Sequence, residues 1–198
     1  MTKLKATKTL PETQRDYVIT GATIKDGKCD YSYRVTEGNG IGDTHNVKGV
    51  GIHEDDLAKA FGKLNAHMAL IDDAFKNSNE EVVKITGKIH NHELTALYGV
   101  GGIAIKGDEN ESVILTSTKQ ISCSGEHMQI KTPKIPIDKL SSYTHWKDLL
   151  DTIEHVREEV ALYKEGKCTN PEPIEDENQL TIGEGEEVED EELESGRK

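Results

Sequence analysis

The chain has eight histidines, and two of them raise the first chemical question. His90 and His92 stand two apart in a stretch that reads as a strand, so both would project from one face with Glu93 beside them. Two imidazoles so placed can begin a metal site, but a closed site needs a third and fourth ligand. No HExxH motif and no CxxC pair supplies them, so surface or sheet-edge histidines are the plainer reading. His53-Glu54-Asp55 has the residue types of an acid–base site, yet it reads better as the acidic first turn of a helix, where negative charge complements the dipole. The glycines at 38–42, 49–51 and 99–102 raise phosphate binding. A phosphate cradle wants glycines before a helix N-terminus, together with a lysine. Gly49-Val50-Gly51 does precede a helix, but it lacks the lysine and is followed by Glu54-Asp55-Asp56, which would repel a phosphate. Neither GxSxG nor a Cys/His signature is present. The expectation is a protein with no catalytic residue, no cofactor and no metal.

A second group suits nucleic acid. Tyr31 and Tyr33 share one face of a strand with Arg34 next to them, and Lys25, Lys28, Lys88 and Lys119 fall on or beside predicted strands. Single-strand binders combine stacking aromatics on a sheet with a basic groove. In that reading Tyr31 and Tyr33 stack bases, while Arg34, Lys25, Lys28, Lys88 and Lys119 contact phosphates. The competing reading puts the tyrosines in the core beneath helices and leaves the lysines on a solvated face.

The charge of the chain is unevenly placed. Its net charge is −13, and residues 171–198 carry twelve carboxylates against Arg197 and Lys198, so −10 resides there. A polyanionic segment of this kind imitates nucleic acid or recruits a partner. Glu186, Glu187, Glu189, Asp190, Glu191 and Glu192 are its densest run and the candidate partner-binding residues.

These residues need elements to hold them. Residues 1–15 read as a flexible basic leader, 16–168 as one α+β domain and 169–198 as a disordered acidic tail, too poor in apolar surface to order itself. Aromatics are only 5%, so the core should be aliphatic. Tyr17–Lys25, Asp26-Gly27 and Lys28–Thr36 form a β-hairpin. Glu37–Gly51 reads as a loop, with room for one short strand around Asn46–Val50. Leu57, Phe61, Leu64, Met68, Ile71 and Phe75 fall on one helical stripe. Strands are expected at Val82–His90, Leu94–Lys106 (with a bulge or sharp bend at Gly99, Gly101 and Gly102), Ser112–Ile121 and His127–Thr132. An amphipathic helix follows over Tyr143–Glu165, ended by Gly166. The expected architecture is a mostly antiparallel sheet of five to six strands with two amphipathic helices packed on one face.

Between Val100 and Lys167, the runs GVGGIAIKGDENESVILTSTKQI, KTPKI and EEVALYKEGK resemble a group of small, largely uncharacterised bacteriophage proteins. The resemblance covers about a third of the chain and carries no catalytic motif. It implies a phage setting among replication or recombination genes.

Three function classes follow. The first is a phage-encoded accessory protein of replication or recombination that binds single-stranded DNA. The second is an inhibitor or adaptor whose acidic surface mimics DNA and occupies a host DNA-processing enzyme. The third is a virion structural or assembly protein. The three cysteines, Cys29, Cys123 and Cys168, are odd in number and widely spaced, which fits a reducing compartment. With no apolar leader and no window near the roughly 18 apolar residues that a membrane span needs, the expected location is the cytoplasm of the host cell.

Overall fold

The computed structural model describes residues 16–35, 42–76, 78, 82, 84–107, 111–139 and 141–169. The leader and the segment from residue 170 onward, with the six candidate partner-binding carboxylates, lie outside the described residues. Strand β1 (Tyr17–Lys25) and strand β2 (Lys28–Val35) form the hairpin that Asp26-Gly27 calls for. Asp26 at φ 51° and Gly27 at φ 73° give it the two left-handed residues that match strand twist. β3 (Thr44–Val47) and β4 (Ile52–His53) both pair with β2.

Helix α1 (Asp55–Ile71) buries Leu57, Phe61, Leu64 and Met68, with Asp55 and Asp56 in its first turn. The stripe to Phe75 outruns the helix. Asp73 adopts φ 54°, which ends the helical path, and Phe75 reaches the core from the following turn.

Among the described residues of Val82–His90, where a strand is expected, none is in a strand. Residues 87–90 instead form a single-turn helix, α2 (Gly87–His90), followed by α3 (Glu93–Ala96). Local hydrogen bonds decide this. Thr95 Oγ1 donates to the Ile89 carbonyl at 2.7 Å, and His92 Nδ1 accepts from the Leu94 amide at 3.1 Å, capping α3. Capping of this kind competes with a strand ladder wherever the side chain can reach. His90 and His92 therefore occupy different turns rather than one strand face, and His92 lies against Phe75 with ring centroids 5.0 Å apart.

The rest is β5 (Tyr98–Lys106), β6 (Ser112–Gln120), β7 (His127–Lys131), β8 (Ile135–Pro136), α4 (Trp146–Lys164) and β9 (Cys168–Thr169). Gly166, at φ 104°, stops α4 as anticipated. The sheet is antiparallel in the order β7-β6-β5-β1-β2-β4-β9, with β3 on β2 and β8 on β6. Its nine strands exceed the expected five to six because β4, β8 and β9 are two-residue pairings too short to leave a periodic signature. α1 lies over β5, α4 over β1 and β2, and the helices touch each other. Both thus cover one face, and Ile19, Cys29, Ile103, Leu115, Leu64 and Ile153 meet between the layers. The core is mainly aliphatic.

Candidate nucleic-acid interface

Two bulges set what each sheet face carries. In β1 the register shifts between Ile19 and Gly21, and in β5 between Val100 and Gly102. Each extra residue restores the alternation, so Ile19 and Ala22, three apart, both point at the helices, as do Val100 and Ile103. Residues directly opposite on neighbouring strands share a face. The pairs Gly21↔Ser32, Thr23↔Asp30, Lys25↔Lys28, Val18↔Arg34, Ser32↔Asn46, Thr23↔Gly102, Gly102↔Thr116, Lys106↔Ser112 and Thr116↔Lys131 all lie on the side away from the helices.

That open face is made of small and hydroxylic side chains. Thr20 Oγ1 donates to Ser32 Oγ at 3.1 Å. A Cβ at Gly21 would stand 2.8 Å from Ser32 Oγ and 3.2 Å from the Ile103 carbonyl oxygen, so glycine is what lets β1 approach β2 and β5 together. Around it lies an open trough of about 630 Å³, lined by Thr20, Thr23, Ser32, Thr44, Asn46 and Lys48 among others. Lys48 and Lys106 line it, and Lys25 and Lys28 at the hairpin end, Lys131 on β7 and Arg34 on β2 lie on the same face. Among the described strand residues of this face, Asp30 is the one carboxylate, and its Oδ1 accepts from the Gly49 amide at 3.0 Å. An acidic chain thus carries a locally basic, hydroxyl-lined sheet face that no described helix covers.

The structure divides the seven candidate nucleic-acid residues. Lys25, Lys28 and Arg34 share the open face. Tyr31 and Tyr33 are on the opposite side. Tyr31 packs edge-on against Tyr163 of α4, with centroids 6.1 Å apart. Tyr33 meets Tyr17 edge-on at 5.5 Å and stacks on His45 at 5.0 Å, while Lys164 Nζ lies 4.7 Å from its ring centre. Both tyrosines, half-buried, thus lie at the contact between β2 and the end of α4, on the helix side of the sheet, where the competing reading of the sequence puts them. Lys88 is on α2, against α1 in the helix layer.

Lys119 also faces the helix side. Its Nζ pairs with Asp72 Oδ2 at 2.5 Å, beneath the Tyr98 ring, and Tyr98 donates to the same oxygen. Burial works to raise the Asp72 pKa, but the hydrogen bonds from Lys119 and Tyr98 outweigh it and hold the carboxyl below its ordinary value. This cluster ties the end of α1 to β5 and β6. Lys106 and Lys131, with the threonines of β6, complete the open face. Their signal in the sequence is Ser112, Thr116 and Thr118 recurring at even spacing.

Two further titratable groups sit in the helix layer. Burial first, and Asp30 second, pushes the Cys29 thiol up to about 12, so it is an inert core group. His67 is 1% exposed. Its Nδ1 lies 3.0 Å from the Tyr143 hydroxyl and its Nε2 3.4 Å from Thr152 Oγ1. Thr152 spends its proton on the Asp148 carbonyl at 2.7 Å, so Nε2 is the protonated nitrogen and Nδ1 accepts from Tyr143. Burial, reinforced by His90 and His145, lowers the His67 pKa to about 3. Among the described residues, no group of three or more His, Cys, Asp or Glu side chains could hold a metal ion.

No family model, curated protein or solved structure matches this chain. No described helix is long and apolar enough to cross a membrane.

Proposed function

We propose that this protein binds single-stranded DNA, without catalysis, through the open face of its sheet. One observation carries the reading: on a chain of net charge −13, the uncovered sheet face carries Lys25, Lys28, Lys106, Lys131 and Arg34, and a trough on that face is lined by hydroxyl and amide side chains with Lys48, Lys106 and Asp30. Lysines and hydroxyls hold phosphates and sugars, and such contacts position a strand without reading its sequence. Because the tyrosines serve the core, the backbone rather than base stacking supplies the affinity, which makes binding weak and strongly salt-dependent. The resemblance of residues 100–167 to bacteriophage proteins supports an accessory role in replication or recombination.

Fluorescence anisotropy with a labelled oligothymidylate at low salt tests this. Replacing Lys25, Lys28, Lys106 and Lys131 together with glutamine should cut affinity at least tenfold and leave the circular dichroism spectrum unchanged. Equal binding by this variant and the parent would remove the open face as the interface. Stronger binding to a duplex of mixed sequence would change the substrate.

A second reading, the adaptor or inhibitor that mimics DNA, is favoured by the other side of the molecule. There Glu111, Asp151, Glu154 and Glu158 gather around an open depression of about 770 Å³. Capture of a DNA-processing enzyme from host lysate, lost when Asp151 and Glu158 become amides, is the result that supports it.

A further inference from the structure

The last described pairing places the start of the acidic segment. Lys28 is opposite Ile52, and Ile52 is opposite Thr169. Directly opposed residues share a face, so Thr169 lies on the same open side as Lys28, two strands away, or roughly 10 Å at ordinary strand spacing. Cys168, its neighbour, is opposite His53 on the side of the helices. β9 is the edge strand of the sheet, so the described chain ends at the sheet's edge, beside the hairpin end of β2, with Thr169 facing the open side.

From this point 29 residues remain, twelve of them acidic and two basic. Crossing the sheet from β9 to β7 spans six inter-strand steps, or roughly 29 Å. A tether of that length has a root-mean-square reach of roughly 30 Å even as a random coil. The carboxylates are thus held within reach of Lys28, Lys25, Lys48, Lys106 and Lys131. The helix layer offers them less, since its side of the molecule carries Glu111, Asp151, Glu154 and Glu158. There Arg157 is already engaged by Glu111 and Glu154, and Lys167 by Asp56 and Glu159.

We infer that the acidic segment 171–198 docks on the open sheet face of its own chain and competes there with polyanionic ligands. This rests on the proposed function for its consequence, though not for the contact itself. Tethering holds the segment at an effective concentration on the order of millimolar, so individually weak contacts suffice. A nucleic acid must displace it. Lys25 and Lys28 on the hairpin, nearest the exit, meet it first.

The test uses two full-length chains, the parent and one carrying Glu186→Gln, Glu187→Gln, Glu189→Gln, Asp190→Asn, Glu191→Gln and Glu192→Gln. Amide chemical shifts are compared at low salt with no nucleic acid present, and affinity for oligothymidylate is then measured for both. Docking predicts shift differences concentrated at Thr23, Lys25, Lys28, Ser32, Lys48 and Lys106. It also predicts an affinity gain of about tenfold that fades at high salt. Shift differences confined to residues 171–198, or gathered on the helix layer, overturn the inference. The two proposals fail separately. Open-face shifts with no oligonucleotide binding by either chain leave docking in place and end the nucleic-acid reading. Equal binding by both chains, with no open-face shifts, does the reverse.

Discussion

His67 is the side chain whose environment departs furthest from what its type suggests. It lies buried between α1 and α4, neutral, with both ring nitrogens engaged. Its pKa in the fold is about 3 against an ordinary 6.5, so the unfolded chain binds the extra proton first as pH falls. Stability from this group is complete above pH 6.5 and declines as pH drops towards 3. Between pH 6.5 and pH 5 the loss should be roughly 2 kcal/mol. Urea melts of the parent and of His67→Gln across that range check it: the variant is less stable at neutral pH, but its curve is flatter by that amount. A parallel pair of curves would mean that His67 protonates within the fold. Tyr31 offers a second residue-scale outcome. Tyr31→Ala removes the edge contact with Tyr163 and should cost about 2–3 kcal/mol of stability, while affinity for oligothymidylate at a temperature where the variant is folded stays within twofold. The sequence left the two roles of Tyr31 and Tyr33 open because alternation shows which residues share a face, not which face a helix will cover. Only the packing of α4 on β1 and β2 decides that.

At the scale of elements, the hairpin and both long helices were legible because their signals are local. A turn dipeptide, a stripe of apolar residues at helical spacing and a terminating glycine each act within one or two turns of chain. The short strands β4, β8 and β9 were not, since their pairing energy comes from distant partners such as Ile52 on Thr169. The misread segment at Val82–His90 shows the same limit from the other side. It reads as a strand, but side-chain hydrogen bonds from Thr95 and to His92 favour helical turns at Gly87–His90 and Glu93–Ala96. The glycine-marked bulge in β5 was legible, while the matching one in β1 was marked by Gly21 alone. Gly21→Ala should therefore be costly, because its Cβ meets Ser32 Oγ at 2.8 Å with a backbone carbonyl behind it. A loss of about 1–3 kcal/mol is expected. Since Ser32 supplies the nearest atom, Ser32→Gly in the same chain should recover part of that loss. A double-mutant cycle by thermal melting that shows no coupling would mean that the Ile103 carbonyl, not the hydroxyl, is the obstacle.

For the whole molecule the decisive quantity is the separation of charge along the chain, −10 in residues 171–198 against a body that is nearly neutral and carries a basic sheet face. This part was legible in the composition of residues 171–198 but not in the body, where a sheet face poor in carboxylates separates from a helix layer of mixed charge only once the strands alternate. Sorting sets the salt response. Five cations on the open face, each displacing counterions from single-stranded DNA, give a slope of log affinity against log salt of about −3.5, or roughly a hundredfold loss between 50 and 200 mM. The parent chain should show a shallower slope, because salt weakens the docked acidic segment as well as the DNA contacts. Neutralising Glu186, Glu187, Glu189, Asp190, Glu191 and Glu192 should steepen it towards the full value, and adding the four lysine substitutions should reduce it to about −0.7. Anisotropy titrations of the three chains over that range measure all of this directly. A slope near zero in the chain whose six carboxylates are neutralised, with binding retained, would mean that the threonines and serines of the trough hold the strand and that the lysines of its face do not.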